Sequence, residues 1–141
     1  MARTKAAFRA TREMVGMTQA ALADKLGVEV RSVKRWESPT APQVPPPDAW
    51  AILDAALERQ RDVVRYGRAN VHDIIDERGE HPTAVMLPYY SSAEEWAAFC
   101  RGMRQTVDWR MTNANARALA CVLWADGLEV TWGDRLEVIQ H

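Results

Sequence analysis

The chain has 141 residues, 48% of them hydrophobic and 26% charged, and a formal net charge of −1 at pH 7. That composition excludes a long disordered or collagen-like chain and fits one domain or two small ones. No apolar run approaches the ~20 residues that a bilayer-spanning helix needs. The start, Met1-Ala2-Arg3-Thr4-Lys5, leads into mixed polar sequence rather than the apolar stretch of a secretory signal. Two cysteines, Cys100 and Cys121, make neither a disulfide framework nor a four-cysteine zinc site. A cytoplasmic protein with reduced thiols is expected.

The near-zero charge conceals an asymmetry. Residues 1–37 carry eight Lys/Arg against four acids, a balance of +4, whereas residues 38–141 carry ten against fifteen, a balance of −5. A basic head on an acidic body points to a polyanionic partner for the head alone.

In chain order, Ala7, Phe8, Thr11, Met14 and Val15 recur at helical spacing, which predicts a helix over 4–15 that stops at Gly16. Thr18 stands as an N-cap before Ala20, Ala21, Leu22, Ala23 and Leu26, and Gly27 ends this second helix. A third opens at Glu29 or Val30 and runs through Glu37. Five prolines in residues 38–47 forbid helix there, and Pro45-Pro46-Pro47 suit the launch of the next one. In the long helix predicted over 48–78, Leu53, Leu57, Val64, Val71, Ile74 and Ile75 form one stripe with Ala56 beside them. Gln60 and Gly67 are its weak points, and Gly67 is expected to bend or split it. Arg59, Arg61, Arg65 and Arg68 read as a solvated face. Gly79 and Pro82 terminate the helix.

The remainder mixes strands and helices. Thr83–Leu87 reads as a strand. Ser91 or Ser92 caps a helix holding Trp96, Phe99 and Cys100, with Ser92 and Glu95 as a capping box. Asp108 or Thr112 starts a further helix that runs through Ala125 and ends at Gly127, and the alternation in Leu128–Trp132 and Leu136–Ile139 predicts two strands.

The segment from Thr18 to Val28 joins two short helices through a tight turn. Helices that cross steeply need a small residue where they touch, here Ala23, and a turn with positive φ, here Gly27. Val28 and Val33 are expected to fill the shared core with Leu22 and Leu26, while Trp36 closes it against the first helix. Arg31, Ser32, Lys34 and Arg35 remain on the outer face of the third helix.

Thr18-Gln19, Leu22-Ala23, Leu26-Gly27-Val28 and Trp36-Glu37 stand at the spacing of the lambda repressor/Cro, or XRE, type of helix-turn-helix regulator. The chain resembles that family over roughly residues 5–60. It departs from the family in the loop after Trp36-Glu37, which is longer and proline-rich where the family usually has a short glycine-containing turn. The resemblance implies that the third helix enters the major groove of DNA while the second crosses the phosphate backbone. Carried over position by position, it implies a phosphate or sugar contact for Gln19 and groove-facing roles for Val30, Arg31, Ser32, Lys34 and Arg35. Arginine can grip guanine O6 and N7 through two parallel hydrogen bonds. It further implies that Arg12 pairs with Glu37, and that Trp36 and Glu37 support the fold rather than read DNA.

Leu87-Pro88-Tyr89-Tyr90, Glu95-Trp96, Asp108-Trp109-Arg110 and Gly127-Leu128 make the C-terminal half similar to small autorepressors, the anti-CRISPR-associated regulators among them, in which a dimerising domain follows the helix-turn-helix. Trp96, Trp109, Trp124 and Trp132 are then candidates for a dimer interface, because aromatic residues are enriched at such surfaces. The expected fold is mainly α. A helix-turn-helix bundle with a long fourth helix (1–79) is followed by a small α+β dimerisation region (80–141).

His72, His81 and His141 have no zinc-ligand spacing with the cysteines. His72 and Asp73 are adjacent on a helix and do not face each other. There is no nucleotide-binding loop, GxSxG or HExxH. The expectation is therefore no enzyme, no metal and no cofactor. The partners expected are double-stranded DNA with an inverted-repeat operator and a second copy of the chain, and the expected role is a homodimeric (auto)repressor. The alternatives are an antitoxin-like protein whose C-terminal half neutralises a partner protein, and an RNA-binding regulator.

Overall fold

A computed structural model describes residues 3–99 and 108–140. Cys100, Val107 and His141 lie outside the described residues. The fold is mainly helical, with a helix-turn-helix at the N-terminal end and a small three-stranded sheet in the C-terminal part. The chain divides into two compact units, the first ending at Arg59 and the second beginning at Gln60. The division falls inside the long helix, whereas the reading from sequence puts the boundary at that helix's end.

In the first unit, α1 (Lys5–Met14) is capped by Thr4, whose hydroxyl accepts from the Ala7 amide at 3.0 Å. Thr18 caps α2 (Gln19–Leu26) in the same way through Ala21. Gly27 follows with φ 67°, the left-handed conformation that lets the chain turn sharply into α3 (Val30–Glu37). Residues 38–46 hold no helix, and Pro47 opens α4 (Pro47–Arg78). Phe8, Val15, Met17, Leu22, Ala23, Val33, Trp50 and Leu53 form the core. Phe8 takes Trp36 and Trp50 edge-on, with ring centroids 6.3 and 5.1 Å away. Val28 does not plug this core; it is 38% exposed. Its amide closes the end of α2 by donating to the Ala23 carbonyl, which holds the residue on the turn rather than between the helices.

The second unit contains the rest of α4, β1 (Ala84–Pro88), α5 (Ala93–Phe99), α6 (Trp109–Ala125), β2 (Val130–Gly133) and β3 (Glu137–Ile139). The sheet order is β2-β1-β3. β1 is parallel to β2, with Val85 opposite Val130, and antiparallel to β3, with Val85 opposite Val138. Val71, Val85, Leu87, Leu119, Ala120, Leu123, Leu128 and Val138 form the core. Asp108 caps α6 by accepting from the Met111 amide. Ser92 accepts from the Glu95 amide, but the Glu95 carboxylate reaches back to the amide and hydroxyl of Ser91. Buried Asn113 is paired like a strand residue: its side-chain oxygen accepts from the Tyr90 amide and its NH2 donates to the Tyr90 carbonyl.

Gly67 does not split α4, which is continuous from Pro47 to Arg78. A Cβ at this position would lie 2.7 Å from Leu119 Cδ2, so the missing side chain serves a close approach of α6. Gln60, the polar break in the apolar stripe, is only 4% exposed.

Candidate nucleic-acid interface

The third helix is sharply two-sided. Val33 and Glu37 are buried. Arg31, Lys34 and Arg35 are exposed, while Val30 and Ser32 are half-buried beside them. Among the described residues, neither Lys34 nor Arg35 has an ion-pair partner. Arg31 has one: its Nε lies 2.6 Å from a carboxylate oxygen of Glu29, the N-cap residue of α3. Both side chains are about 70% exposed, so the pair is worth little in water and is open to exchange with another anion. A helix of eight residues with three outward cations presents a compact positive ridge.

The inner side holds the helix in place through one carboxylate. Arg12 Nε donates to Glu37 Oε2 at 2.6 Å and Arg12 Nη2 to Oε1 at 2.8 Å, a two-pronged grip between α1 and α3. Arg12 Nη1 donates to the Met17 carbonyl at 2.9 Å. Arg12 and Glu37 are only 8% and 9% exposed, so each offsets the cost of burying the other. Gln19 Nε2 donates to the same Glu37 oxygen at 3.1 Å. Gln19 is therefore half-buried and tied to the support, and its side-chain amide is oriented by α3. Nothing local to Gln19 predicts this bond; its signal in the sequence is Glu37, a carboxylate at the inner end of a helix with more acceptor capacity than one arginine fills.

Around this ridge, Arg9 and Glu13 pair along α1 at 2.9 Å, and the bond from Arg9 holds the Glu13 carboxyl below its ordinary range. Arg3 stacks its guanidinium over Trp50 at 4.4 Å and grips Asp54 at 2.9 and 3.2 Å.

The second unit presents different chemistry. Trp96 and Trp109 are half-buried and engaged within the chain: the Trp96 indole N–H donates to Thr112 at 3.1 Å, and Arg110 lies over Trp109 at 4.4 Å. Trp124 and Trp132 are 49% and 40% exposed. Trp132 meets Tyr89 edge-on at 5.3 Å, and Arg117 donates to the Tyr89 hydroxyl at 2.9 Å. Arg68 is not simply solvated. It grips Asp126 at 2.7 and 2.8 Å, His72 lies 2.9 Å from the same carboxylate, and these bonds, Arg68's first, lower the Asp126 carboxyl to about 2.

Among the described residues no group of His, Cys, Asp and Glu could hold a metal ion, and no helix is long and apolar enough to cross a membrane. A comparison with curated proteins yields no match. The match to a known family ends at residue 54 and lends no support to the likeness between the C-terminal half and anti-CRISPR-associated autorepressors. Residues 8–54 match the family described as Helix-turn-helix, and the match supports a helix-turn-helix of XRE type in this segment and a DNA-binding transcription regulator.

Proposed function

We propose that the protein is a homodimeric repressor that occupies an inverted-repeat operator, with α3 in the major groove. The single observation that carries this reading is the two-sided α3. Its outer face offers Arg31, Lys34 and Arg35 to solvent, and its inner face is anchored to α1 by a buried ion pair. An anchored cationic helix of this size fits the wide groove and reaches base edges there. Arg31 and Arg35, four residues apart, share a face and address neighbouring bases, while Val30 and Ser32 flank them. Gln19, at the start of α2, meets the phosphate backbone.

One eight-residue helix reads only a few base pairs. A second copy across a two-fold axis places two such helices ~34 Å apart, about one turn of duplex. The exposed aromatics of the second unit, Trp124 and Trp132, supply the contact between copies, with the half-buried Trp96 and Trp109 as further candidates. Repression follows from occupying a site that overlaps a promoter, and the protein's own promoter is the simplest target.

Selection of bound sequences from random duplex DNA tests all of this together. The expected result is an inverted repeat with half-sites spaced by about one helical turn. Enrichment of an unpaired single site would overturn the dimer, and absence of any enriched sequence would overturn specific recognition.

A further inference from the structure

Lys5 opens α1, yet its ammonium serves a different part of the first unit. Nζ donates to the carbonyl oxygens of Arg35 at 2.9 Å, Ser38 at 2.9 Å, Ala41 at 2.8 Å and Gln43 at 2.5 Å. Three protons thus serve four acceptors, so at least one bond is shared. Arg35 lies in the last turn of α3 and Ser38 is its C-cap; their carbonyls otherwise take only long backbone bonds, from the Ser38 N–H at 3.2 Å and the Ala41 N–H at 3.3 Å. Ala41 and Gln43 belong to the proline-rich loop. Pro39, Pro42 and Pro45 have no N–H to offer these carbonyls. Ser38 and Ala41 each precede a proline, which confines them to extended backbone, and Ser38 has ψ 125°. Beyond the Ala41–Ser38 backbone bond and the Ser38–Thr40 hydroxyl contact at 3.2 Å, the loop is held by an outside donor, Lys5.

The electrostatics agree. A cation in the first turn of α1 opposes the dipole of its own helix, whereas the same charge is favourable at the carbonyl end of α3. Lys5 is thus misplaced for α1 and well placed for α3. A lysine near a groove-reading helix would ordinarily be assigned to DNA phosphate. Here the ammonium is encircled by backbone oxygens of the reading helix and of the loop that leaves it.

We propose that Lys5 is a positioning residue for DNA recognition, which fixes the end of α3 and the proline loop through its ring of carbonyls and makes no phosphate contact. This rests on the reading of α3 as the DNA-reading helix. It assigns to one side chain the work that a tight glycine turn performs where the loop is short.

The test uses the full chain and the duplex enriched by selection. Lys5→Met keeps the length of the stem and removes the charge. It is expected to weaken binding to the selected duplex by roughly ten- to a hundredfold. Binding to unrelated duplex, and the slope of log affinity against log salt, are expected to match the parent chain. An equal loss on both duplexes with the slope reduced by about one would assign Lys5 to phosphate and overturn the proposal, as would unchanged affinity. Lys5→Arg retains the charge, but its planar fork does not suit four converging oxygens, so full rescue by arginine would also overturn it.

A measurement on the unaltered chain covers the case in which the variants do not fold. In nitrogen-15 NMR the Lys5 ammonium protons are expected to exchange with water more slowly than those of exposed Lys25, both free and bound to duplex. Fast exchange in either state would sink the proposal alone. No duplex preference in the parent chain would sink the reading of α3 and the proposal with it.

Discussion

In the first unit the large exposed apolar side chains are Met14, Val28 and Val44, and the feature that stands out on the surface is the cationic face of α3. Among the described residues of the second unit the exposed large apolar side chains are Tyr66, Tyr89, Phe99, Trp124 and Trp132, with Val63 the one aliphatic among them. The interiors differ in the opposite sense. The first unit buries an arginine and a glutamate, whereas the second buries the neutral amides of Gln60, Asn113 and Asn115. A buried charge pair holds a helix at a defined tilt because neither member can move without leaving the other unpaired in low dielectric. Neutral amides and close-packed aliphatics tolerate small shifts more readily. The contrast is between a first unit whose α3 is held by charge and a second unit whose exposed surface is rich in aromatics.

The largest effect expected from this contrast is at the buried pair. Arg12→Ala leaves the Glu37 carboxylate buried and unpaired, and should lower stability by about 3–5 kcal/mol. Chemical denaturation of the full chain measures it, and hydrogen exchange should place the loss in residues 5–59. Arg12→Met combined with Glu37→Leu should recover most of the stability. If Arg12→Ala costs no more than a surface substitution, the head is not anchored by charge.

Next come the cations of the outer face. Arg31→Ala or Arg35→Ala should cost roughly 1–3 kcal/mol in binding and relax the preference at one base position per half-site. Competition among single-base variants of the selected duplex reads this directly. A uniform loss on every sequence would move the residue from base edge to phosphate and blunt the contrast between a reading face and a merely charged one.

In the second unit the corresponding probe is steric. Gly67→Ala places a methyl against Leu119, and overpacking of about 1–3 kcal/mol is offset in part by the ~1 kcal/mol that alanine gains in a helix. A modest net destabilisation is expected in denaturation. A stabilised variant would show that α6 can withdraw without cost and that this unit is softer than its packing implies.

The smallest effect is in acid. The bonds from Arg68 and His72 lower the Asp126 carboxyl to about 2. A lowered carboxyl contributes stability that is present above its ordinary range and is lost as pH falls through about 2. A melting series at decreasing pH should therefore separate the parent chain from Asp126→Asn near neutrality, and the two should converge in strong acid. A gap that persists at the acid end would assign the effect to shape rather than charge.

The helix-turn-helix was legible in the sequence because its boundaries are set by local chemistry. Thr18 caps, Gly27 turns and Pro47 starts a helix whatever surrounds them. The outer cations of α3 were legible for a related reason: a short amphipathic helix has only one face to bury. What escaped were features set by distant partners. Gly67 reads as a breaker in isolation and becomes a contact point only when Leu119, 52 positions along the sequence, is brought against it. The parallel pairing of β1 with β2, across α5 and α6, leaves no local trace. Lys5 and Arg68 look like ordinary polar surface residues, and Gln19 like a residue facing phosphate alone, until the groups they bind, contributed by other elements, are known.

The bond between Arg31 and Glu29 has a consequence for discrimination. Under the proposed reading of α3, Glu29 acts as a tethered decoy that holds the guanidinium weakly until a better acceptor is near. A stray phosphate offers a similar single charge and displaces it with little advantage. A guanine edge in the proper frame offers two acceptors at once, together with the contacts of neighbouring side chains. The decoy thus mutes casual adhesion to arbitrary duplex more than it mutes the intended match, and so widens the gap between them.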